Sequence, residues 1–253
     1  MTATIALSSV GAAFAATTYP SKAVQYGDGI YKVAVHINGK MMNVNDFDKH
    51  QGLLTVKNGR MNLLIRLNGT GFDKLYKVSD PNAGEEAGKA EAKANETNAI
   101  PAVSKFEKID GVDTEFYNFN IPLENACGEI LVSGHSKKKN AWYDLHCIMV
   151  IGTGEEPRFD RPYASSVKKI KPGKKRATVS MEPKQTVSGY ELGYSTKKSM
   201  KSAKVMLLTG KSKASIKKLK SRKIYYFAVR TFNKGIGKTY YSKWSKTKKI
   251  KIN

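Results

Sequence analysis

The sequence predicts an all-β protein made of two antiparallel β-sandwiches in tandem. Apolar residues recur with the two-residue period of strands along most of the chain, and turn-forming residues follow at short intervals. Long amphipathic helical patterns are absent, and the charge differs sharply between the two halves of the chain. A length of 253 residues suits two modest domains better than one.

The first domain is predicted over residues 21–152. Its strand-like segments are 31–37, 53–56, 61–67, 71–78, 103–109, 115–121, 129–133 and 142–151, although 71–78 also suits a short helical turn. Between two of these segments lies Asn58-Gly59, a dipeptide that favours a tight hairpin with two residues at positive φ.

Residues 80–99 interrupt the strand pattern. They are rich in Ala, Glu, Lys, Asn and Gly and contain no large apolar residue. We therefore expect a mobile insertion that is partly helical.

A hinge rich in Gly, Glu and Pro is predicted at residues 153–164, and the second domain at 165–253. The strand-like segments of the second domain are 177–181, 189–195, 204–208, 214–219, 224–232 and 240–252. Turn residues separate them at intervals of about 8–12 residues, as is typical of β-sandwiches.

Residues 1–20 form a signal-peptide-like segment. The first charged residue is Lys22, and Ala13-Phe14-Ala15 provides a small-residue cleavage site. A disordered Ala-rich tail is the alternative. The stretch is too short for a membrane span, and no other apolar run is long enough. We expect an extracellular protein that is secreted or associated with a cell wall.

The two cysteines, Cys127 and Cys147, are too few for a disulfide scaffold or a zinc ribbon. The sequence leaves open whether they pair.

The entire net charge of +23 comes from the second part of the chain. Residues 161–253 contain 27 Lys and Arg but only Glu182 and Glu191 as acids, for a net +25, whereas residues 1–160 carry −2. Lysine dominates, and it acts as a solvated point charge, whereas base-reading modules lean on arginine. An anionic cell-wall polymer or acidic glycan is the favoured partner, nucleic acid is disfavoured, and the absence of any specific partner is the alternative.

The second domain resembles a fibronectin type III domain of the Lys-rich kind found in secreted Gram-positive bacterial proteins. The residues that carry this resemblance are 177–181, 189–196 and 240–245, together with Leu219 and Tyr225. The resemblance implies that Leu219 fills the core and that the Tyr225 hydroxyl bonds to backbone a few residues upstream. We interpret Tyr190, Tyr225 and Trp244 as core residues and not as a stacking surface for bases.

The first domain is similar to a NEAT-type (iron-transport-associated) domain, through residues 54–61 and 142–149. This resemblance implies an immunoglobulin-like sandwich that binds haem through tyrosines four residues apart on the last strand. Tyr143 then takes the position of the iron ligand, and Cys147 replaces the second tyrosine. Regular alternation predicts Tyr143, Leu145, Cys147 and Met149 on one face, with Asp144 and His146 on the other. Tyr143, Cys147 and Met149 are the candidate haem-binding residues, and plain packing in the sheet is the alternative.

His135, Lys137, Lys138 and Lys139 are predicted in a basic turn before the last strand. A solvated hairpin tip is the default interpretation, and a ligand-contacting loop is the other.

No sequence motif for catalysis or metal binding is present, and the four histidines lack ligand spacing. We therefore expect no enzyme and no metal beyond a haem iron held by Tyr143. The leading expectation is a surface binding protein that captures haem or a haemoprotein through its first domain. In that scheme the basic second domain is a spacer that attaches to surfaces. The alternative is an adhesion or glycan-binding protein with no cofactor.

Overall fold

The computed structural model describes residues 25–38, 42, 50–235 and 238–253. The chain forms two compact units, which meet in sequence between Pro157 and Arg158. The predicted signal-peptide-like segment 1–20 lies outside the described residues. Among the residues described, no helix has the length and apolar character needed to cross a membrane.

The described part of unit 1, which ends at Pro157, contains nine strands and confirms the all-β prediction for this half. The strands are β1 (Gly29–Asn38), β2 (Gln51–Lys57), β3 (Arg60–Arg66), β4 (Phe72–Lys77), β5 (Ile100–Pro101), β6 (Val103–Ile109), β7 (Val112–Leu123), β8 (Cys127–Ser136) and β9 (Ala141–Ile151). They form one hydrogen-bonded path in the order β5-β4-β8-β9-β1-β2-β3-β7-β6, with antiparallel pairing throughout. The path curves back on itself, because β4 and β5 also contact β7.

The core of unit 1 follows the predicted alternation. Tyr31, Val33 and Val35 of β1 are buried, as the two-residue period requires. Asn58 and Gly59 both have positive φ, at 51° and 74°, so the predicted hairpin turn is confirmed.

Within residues 80–99, helix α1 (Glu85–Ala94) is followed by a 3₁₀ turn (Glu96–Asn98). The helix packs on β8 and β9, where Ala92 is fully buried in a second small cluster with Tyr76 and Val78. Gly88 faces Leu145 so closely that a Cβ on Gly88 would collide with the leucine side chain. The lack of large apolar residues, which suggested a mobile segment, instead lets this helix approach the sheet closely.

Glu91 anchors α1 to the end of β4. Its Oε1 atom accepts hydrogen bonds from the Ser79 hydroxyl (2.6 Å), the Ser79 amide (3.0 Å) and the Tyr76 hydroxyl (3.2 Å). The Ser79 hydroxyl contributes most to lowering the pKa of Glu91 below its ordinary value of 4.5, and the other two donors add to the effect. The ionised carboxylate is therefore the form that holds the helix.

We expect the docking of α1 to weaken in acid. Because the pKa of Glu91 is depressed in the folded state, its contribution is complete above about pH 5 and is lost as pH falls through the folded value. The protection of the amides within 85–94, taken relative to their intrinsic exchange rate at each pH, should fall as pH drops below the ordinary Glu value of 4.5, and Glu91→Gln should show the lower protection already at neutral pH. If exchange in Glu91→Gln matched the wild type at both pH values, the anchor would be misassigned.

Unit 2, from Arg158, is a sandwich of two sheets. Its strands are β10 (Val167–Gly173), β11 (Arg176–Met181), β12 (Gly189–Ser195), β13 (Lys204–Thr209), β14 (Lys213–Ile216), β15 (Ile224–Gly235), β16 (Lys238–Tyr241) and β17 (Lys248–Lys251). One sheet has the order β10-β11-β14, and the other has the order β13-β12-β15-β16 with β17 also paired to β15. Two antiparallel sheets of three and five strands form a β-sandwich with a fold like that of fibronectin type III domains.

The predicted segment 240–252 is two strands and not one. Between them, Ser242 and Ser245 replace regular pairing, because each hydroxyl accepts a hydrogen bond from a β15 amide at 3.0 Å. Trp244 is 41% exposed. Its assignment to the core was wrong, whereas Tyr190 and Tyr225 are buried as predicted.

Leu219 and Tyr225 take the positions that the resemblance implied. Leu219 is buried in the core of unit 2, and the Tyr225 hydroxyl accepts a hydrogen bond from the Lys220 amide at 3.1 Å.

The predicted hinge divides between the two units. In unit 1, Glu156 accepts hydrogen bonds from the Thr153 and Gly154 amides and from the Tyr26 hydroxyl. In unit 2, the carbonyl of Phe159 accepts a hydrogen bond from the Asn233 side chain at 3.0 Å. The boundary between the two units therefore lies close to Pro157.

Cys127 and Cys147 are both free thiols. Cys127 is registered with Ile151, which lies four residues from Cys147 along β9, or about 13 Å by strand rise. A disulfide needs Cα atoms within about 7 Å, so this geometry excludes the pairing that the sequence left open.

Candidate functional site

The candidate haem residues do not share one face of β9. The register pairs Tyr143 with Gly134 but Leu145 with Ser133, so Asp144 has no cross-strand partner. This bulge shifts the alternation by one residue. The expectation that Tyr143, Leu145 and Cys147 lie together is therefore wrong.

Tyr143 packs against the main core of unit 1, and His146 follows it on that face with its ring 6.1 Å from that of Phe72. Leu145 and Cys147 face the opposite side, where Leu145 contacts the cluster beneath α1. Cys147 is registered with Leu131, which belongs to the same cluster. The bulge thus separates the two residues that the haem hypothesis needs together.

The surroundings of Cys147 and Met149 do not favour binding of a haem iron by either side chain. Burial, and next to it the Glu129 carboxylate, raise the pKa of the Cys147 thiol to about 12, which disfavours the thiolate that would bind a metal. Met149 is buried among core residues. Haem ligation by Tyr143 stays an untested prediction, but the geometry that was to support it is absent.

Only some of the residues predicted for the basic turn lie in it. His135 lies within β8, is buried, and contacts the Asp73 carboxylate through Nδ1 at 2.7 Å, so its assignment to a loop was wrong. Lys137 donates to the Tyr117 hydroxyl at 3.0 Å, which raises the pKa of the lysine. Lys138 and Lys139 are exposed at the hairpin tip, as predicted.

The described residues contain no group of three or more His, Cys, Asp or Glu side chains that could hold a metal ion.

Unit 2 carries a large unbalanced positive charge. From Arg158 to Asn253 it contains 28 Lys and Arg against three acidic residues, for a net +25. Each acid already has a cationic neighbour, because Asp160 pairs with Arg158, Glu182 with Lys184, and Glu191 with Arg230 at 2.7–2.8 Å. The remaining cations therefore create a strong positive field.

A cluster of this charge lies at one end of the sandwich, which we name the basic pole. It comprises the exposed cations Lys174, Lys175, Arg176, Lys217, Lys218, Lys220, Arg222, Lys223 and Lys251. They lie in the segments 174–176, 217–223 and 251–253, which contain no acidic residue.

Backbone hydrogen bonds hold these three segments together. The Lys175 amide donates to the Asn253 carbonyl at 2.9 Å, and the Lys175 carbonyl accepts from the Leu219 amide at the same distance. The Arg222 amide donates to the Ile252 carbonyl at 2.8 Å. The sequence shows the excess of lysine, but only the closed sandwich brings cations from three distant segments to one end.

Two partly exposed aromatic residues of unit 2, Tyr241 and Trp244, pack on either side of an arginine and do not form an open stacking surface. Arg230 lies between two rings, 3.9 Å from the centroid of Tyr241 and 4.8 Å from that of Trp244. Its Nε donates to the Glu191 carboxylate at 2.7 Å, which fixes the guanidinium. Because the guanidinium occupies the space between the rings, this arrangement serves the packing of the sheet.

No protein-family profile and no curated protein matches the chain. Solved structures to which it is similar include the chicken CNTN1 FN1–FN3 domains, at 14% identity and a TM-score of 0.44, covering 78% of this chain and 63% of that one. A two-domain fibronectin type III segment of chicken tenascin is 16% identical, with a TM-score of 0.29 and coverages of 78% and 97%. A cytokine receptor complex is 10% identical, with a TM-score of 0.30 and coverages of 75% and 90%. The chain thus spans less than two thirds of the CNTN1 fragment. The description of unit 2 as a fibronectin type III-like fold rests on its own two-sheet strand order.

Proposed function

We propose that this chain is a non-enzymatic binding protein, secreted or held at a cell surface, whose unit 2 attaches to anionic polymers of that surface. An acidic cell-wall polymer or an acidic glycan fits this description. The observation that carries the proposal is the basic pole, with nine exposed cations and no acid in its three segments. The proposal corresponds to the cofactor-free alternative of the sequence analysis. We prefer it to haem capture because the bulge at Asp144 places Tyr143 and Cys147 on opposite faces of β9.

The backbone of the basic pole supports this assignment. Lys175, Lys218 and Arg222 have φ values of 50°, 60° and 61°, in the left-handed region that Gly and Asn adopt at lower cost. A turn selected for stability alone would favour those smaller residues. Cations at these positions add charge to the pole at a conformational cost.

Lysine chemistry favours a flexible polyanion over a base-reading role. The basic pole has seven lysines and two arginines. Ammonium groups on flexible stems act as hydrated point charges that tolerate many geometries, as binding to an irregular polymer requires.

Neutralising part of the basic pole should weaken polyanion binding by about tenfold or more at physiological salt. The variant is Lys217→Gln, Lys220→Gln and Lys223→Gln in the full chain, measured against immobilised heparin and poly-glutamate. These three positions keep their side-chain length, and none of them has positive φ.

The matched control removes three charges from unit 1, as Lys105→Gln, Lys138→Gln and Lys139→Gln, and should change affinity less than about twofold. Equal losses in the two variants would overturn the assignment to the pole. A larger loss in the control would place the site in unit 1.

A further inference from the structure

The outer face of the β10-β11-β14 sheet has hydroxyl residues along its central strand and three lysines on the two flanking strands. The register aligns Lys169, Ser180 and Lys213 in one row across the three strands. The next outward row consists of Lys171, Thr178 and Ser215.

The intervening rows confirm which face is outward. Ile170, Val179 and Ala214 form one such row, and they pack in the core of unit 2. The lysines of the outward rows are exposed, whereas Thr178 and Ser180 on the central strand are half-buried. Ser180 therefore lies between two lysines, and Thr178 lies between Lys171 and the shorter Ser215.

The shape that results is a shallow channel along β11. Neighbouring strands are about 4.8 Å apart, so the backbones carrying Lys169 and Lys213 are about 10 Å apart. Successive rows are separated by about 7 Å along the strand. At its end the channel reaches Arg176 of the basic pole, whose side chain lies against Gly173.

We propose that this channel, which we name the cationic trough, holds a single linear anionic polymer in extended form along β11. Its residues are Lys169, Lys171, Thr178, Ser180, Lys213 and Ser215. Lysines contact the anionic groups from both sides, and the hydroxyls of β11 bond to oxygen atoms along the polymer. This inference rests on the proposed function and adds the site, the polymer class and the direction of binding.

The arrangement of the trough distinguishes a chain from a surface. A flat anionic membrane contacts the outermost ammonium groups, whereas the hydroxyls on the floor are reached only by a ligand thin enough to enter between the lysines. A linear polymer with anionic groups recurring about every 7 Å on one side matches the row spacing.

Two variants of the full chain test the trough, with linear polygalacturonate and inorganic polyphosphate as probes. Lys169→Gln, Lys171→Gln and Lys213→Gln together should weaken binding at least about tenfold more than Lys197→Gln, Lys198→Gln and Lys201→Gln. The control removes the same charge from the exposed connection between β12 and β13.

The second variant, Thr178→Val with Ser180→Ala, changes no charge and should weaken binding about threefold to tenfold through lost hydrogen bonds. Far-ultraviolet circular dichroism identifies a variant that fails to fold. In that event Thr178→Ser with Ser180→Thr, which retains both hydroxyls, should keep wild-type affinity.

Three results would contradict the trough, and they differ in what they imply for the proposed function. Equal weakening by the two lysine variants, with no effect of the hydroxyl variant, overturns the trough but leaves general polyanion binding in place. Absence of any binding to either probe overturns the proposed function as well. Phosphatidylglycerol vesicles that bind as tightly as the polymers, with no response to the hydroxyl variant, would identify a membrane surface as the ligand and also overturn the trough.

Discussion

Leu219→Ala is expected to lower the free energy of unfolding of unit 2 by roughly 2–5 kcal/mol, because it opens a cavity in a closed core. Leu219 is buried, and its amide donates to the Lys175 carbonyl, so the same change loosens the base of the basic pole. Tyr225→Phe removes only the hydrogen bond from the Lys220 amide and should cost about 1 kcal/mol.

Each unit contains one tryptophan, which separates the two unfolding transitions. Trp142 lies in unit 1 and Trp244 in unit 2, so urea unfolding in a Trp142→Phe background reports on unit 2 alone. Equal and small effects of Leu219→Ala and Tyr225→Phe would contradict the packing described for this corner of the sandwich.

Arg66→Ala should destabilise unit 1 by about 3–5 kcal/mol, because it leaves polar groups that a buried cation had satisfied. Arg66 is 2% exposed, donates to the Asn118 side chain at 3.1 Å and to Glu107 at 2.9 Å, and lies 4.4 Å from the centroid of Phe116.

The matched control is Lys77→Ala, which removes a partly exposed ion pair with Glu124 and should cost at most about 1 kcal/mol. Fluorescence of Trp142 in a Trp244→Phe background follows both variants. A cost for Arg66→Ala no larger than that of the control would show that the buried ion pair contributes little.

Strands with regular alternation and clear flanking turns could be predicted well from the sequence. Residues 189–195 were predicted with the bounds that β12 has, and Leu219 and Tyr225 occupy their expected places. In each case the deciding information is local, because it lies within about ten residues.

The candidate haem site failed because alternation was assumed to be unbroken. Because Asp144 has no cross-strand partner, Cys147 lies on the opposite face from Tyr143. No residue type in that segment indicates such a bulge in the sequence. A helical part of residues 80–99 was expected, but the docking of α1 on the sheet was hard to foresee for a related reason. Its docking depends on small residues, Gly88 and Ala92, matching a surface made by distant strands.

The basic pole illustrates the limit most clearly. Its charge could be read from the composition of the second half, but its location depends on Lys175, Leu219 and Ile252 being joined by backbone hydrogen bonds across the closed sandwich. These residues are far apart in the sequence, so the sequence alone does not show that they meet in the fold.

The salt dependence of polyanion binding by the full chain tests the central claim most directly. If the basic pole binds by releasing counterions, a plot of log affinity against log salt concentration should be linear and steep. Between about 50 and 200 mM salt, the affinity for heparin should fall by at least about a hundredfold. The slope should become shallower when Lys217, Lys220 and Lys223 are replaced by glutamine. An affinity that stays constant over this range, or a slope unchanged by that variant, would contradict the account.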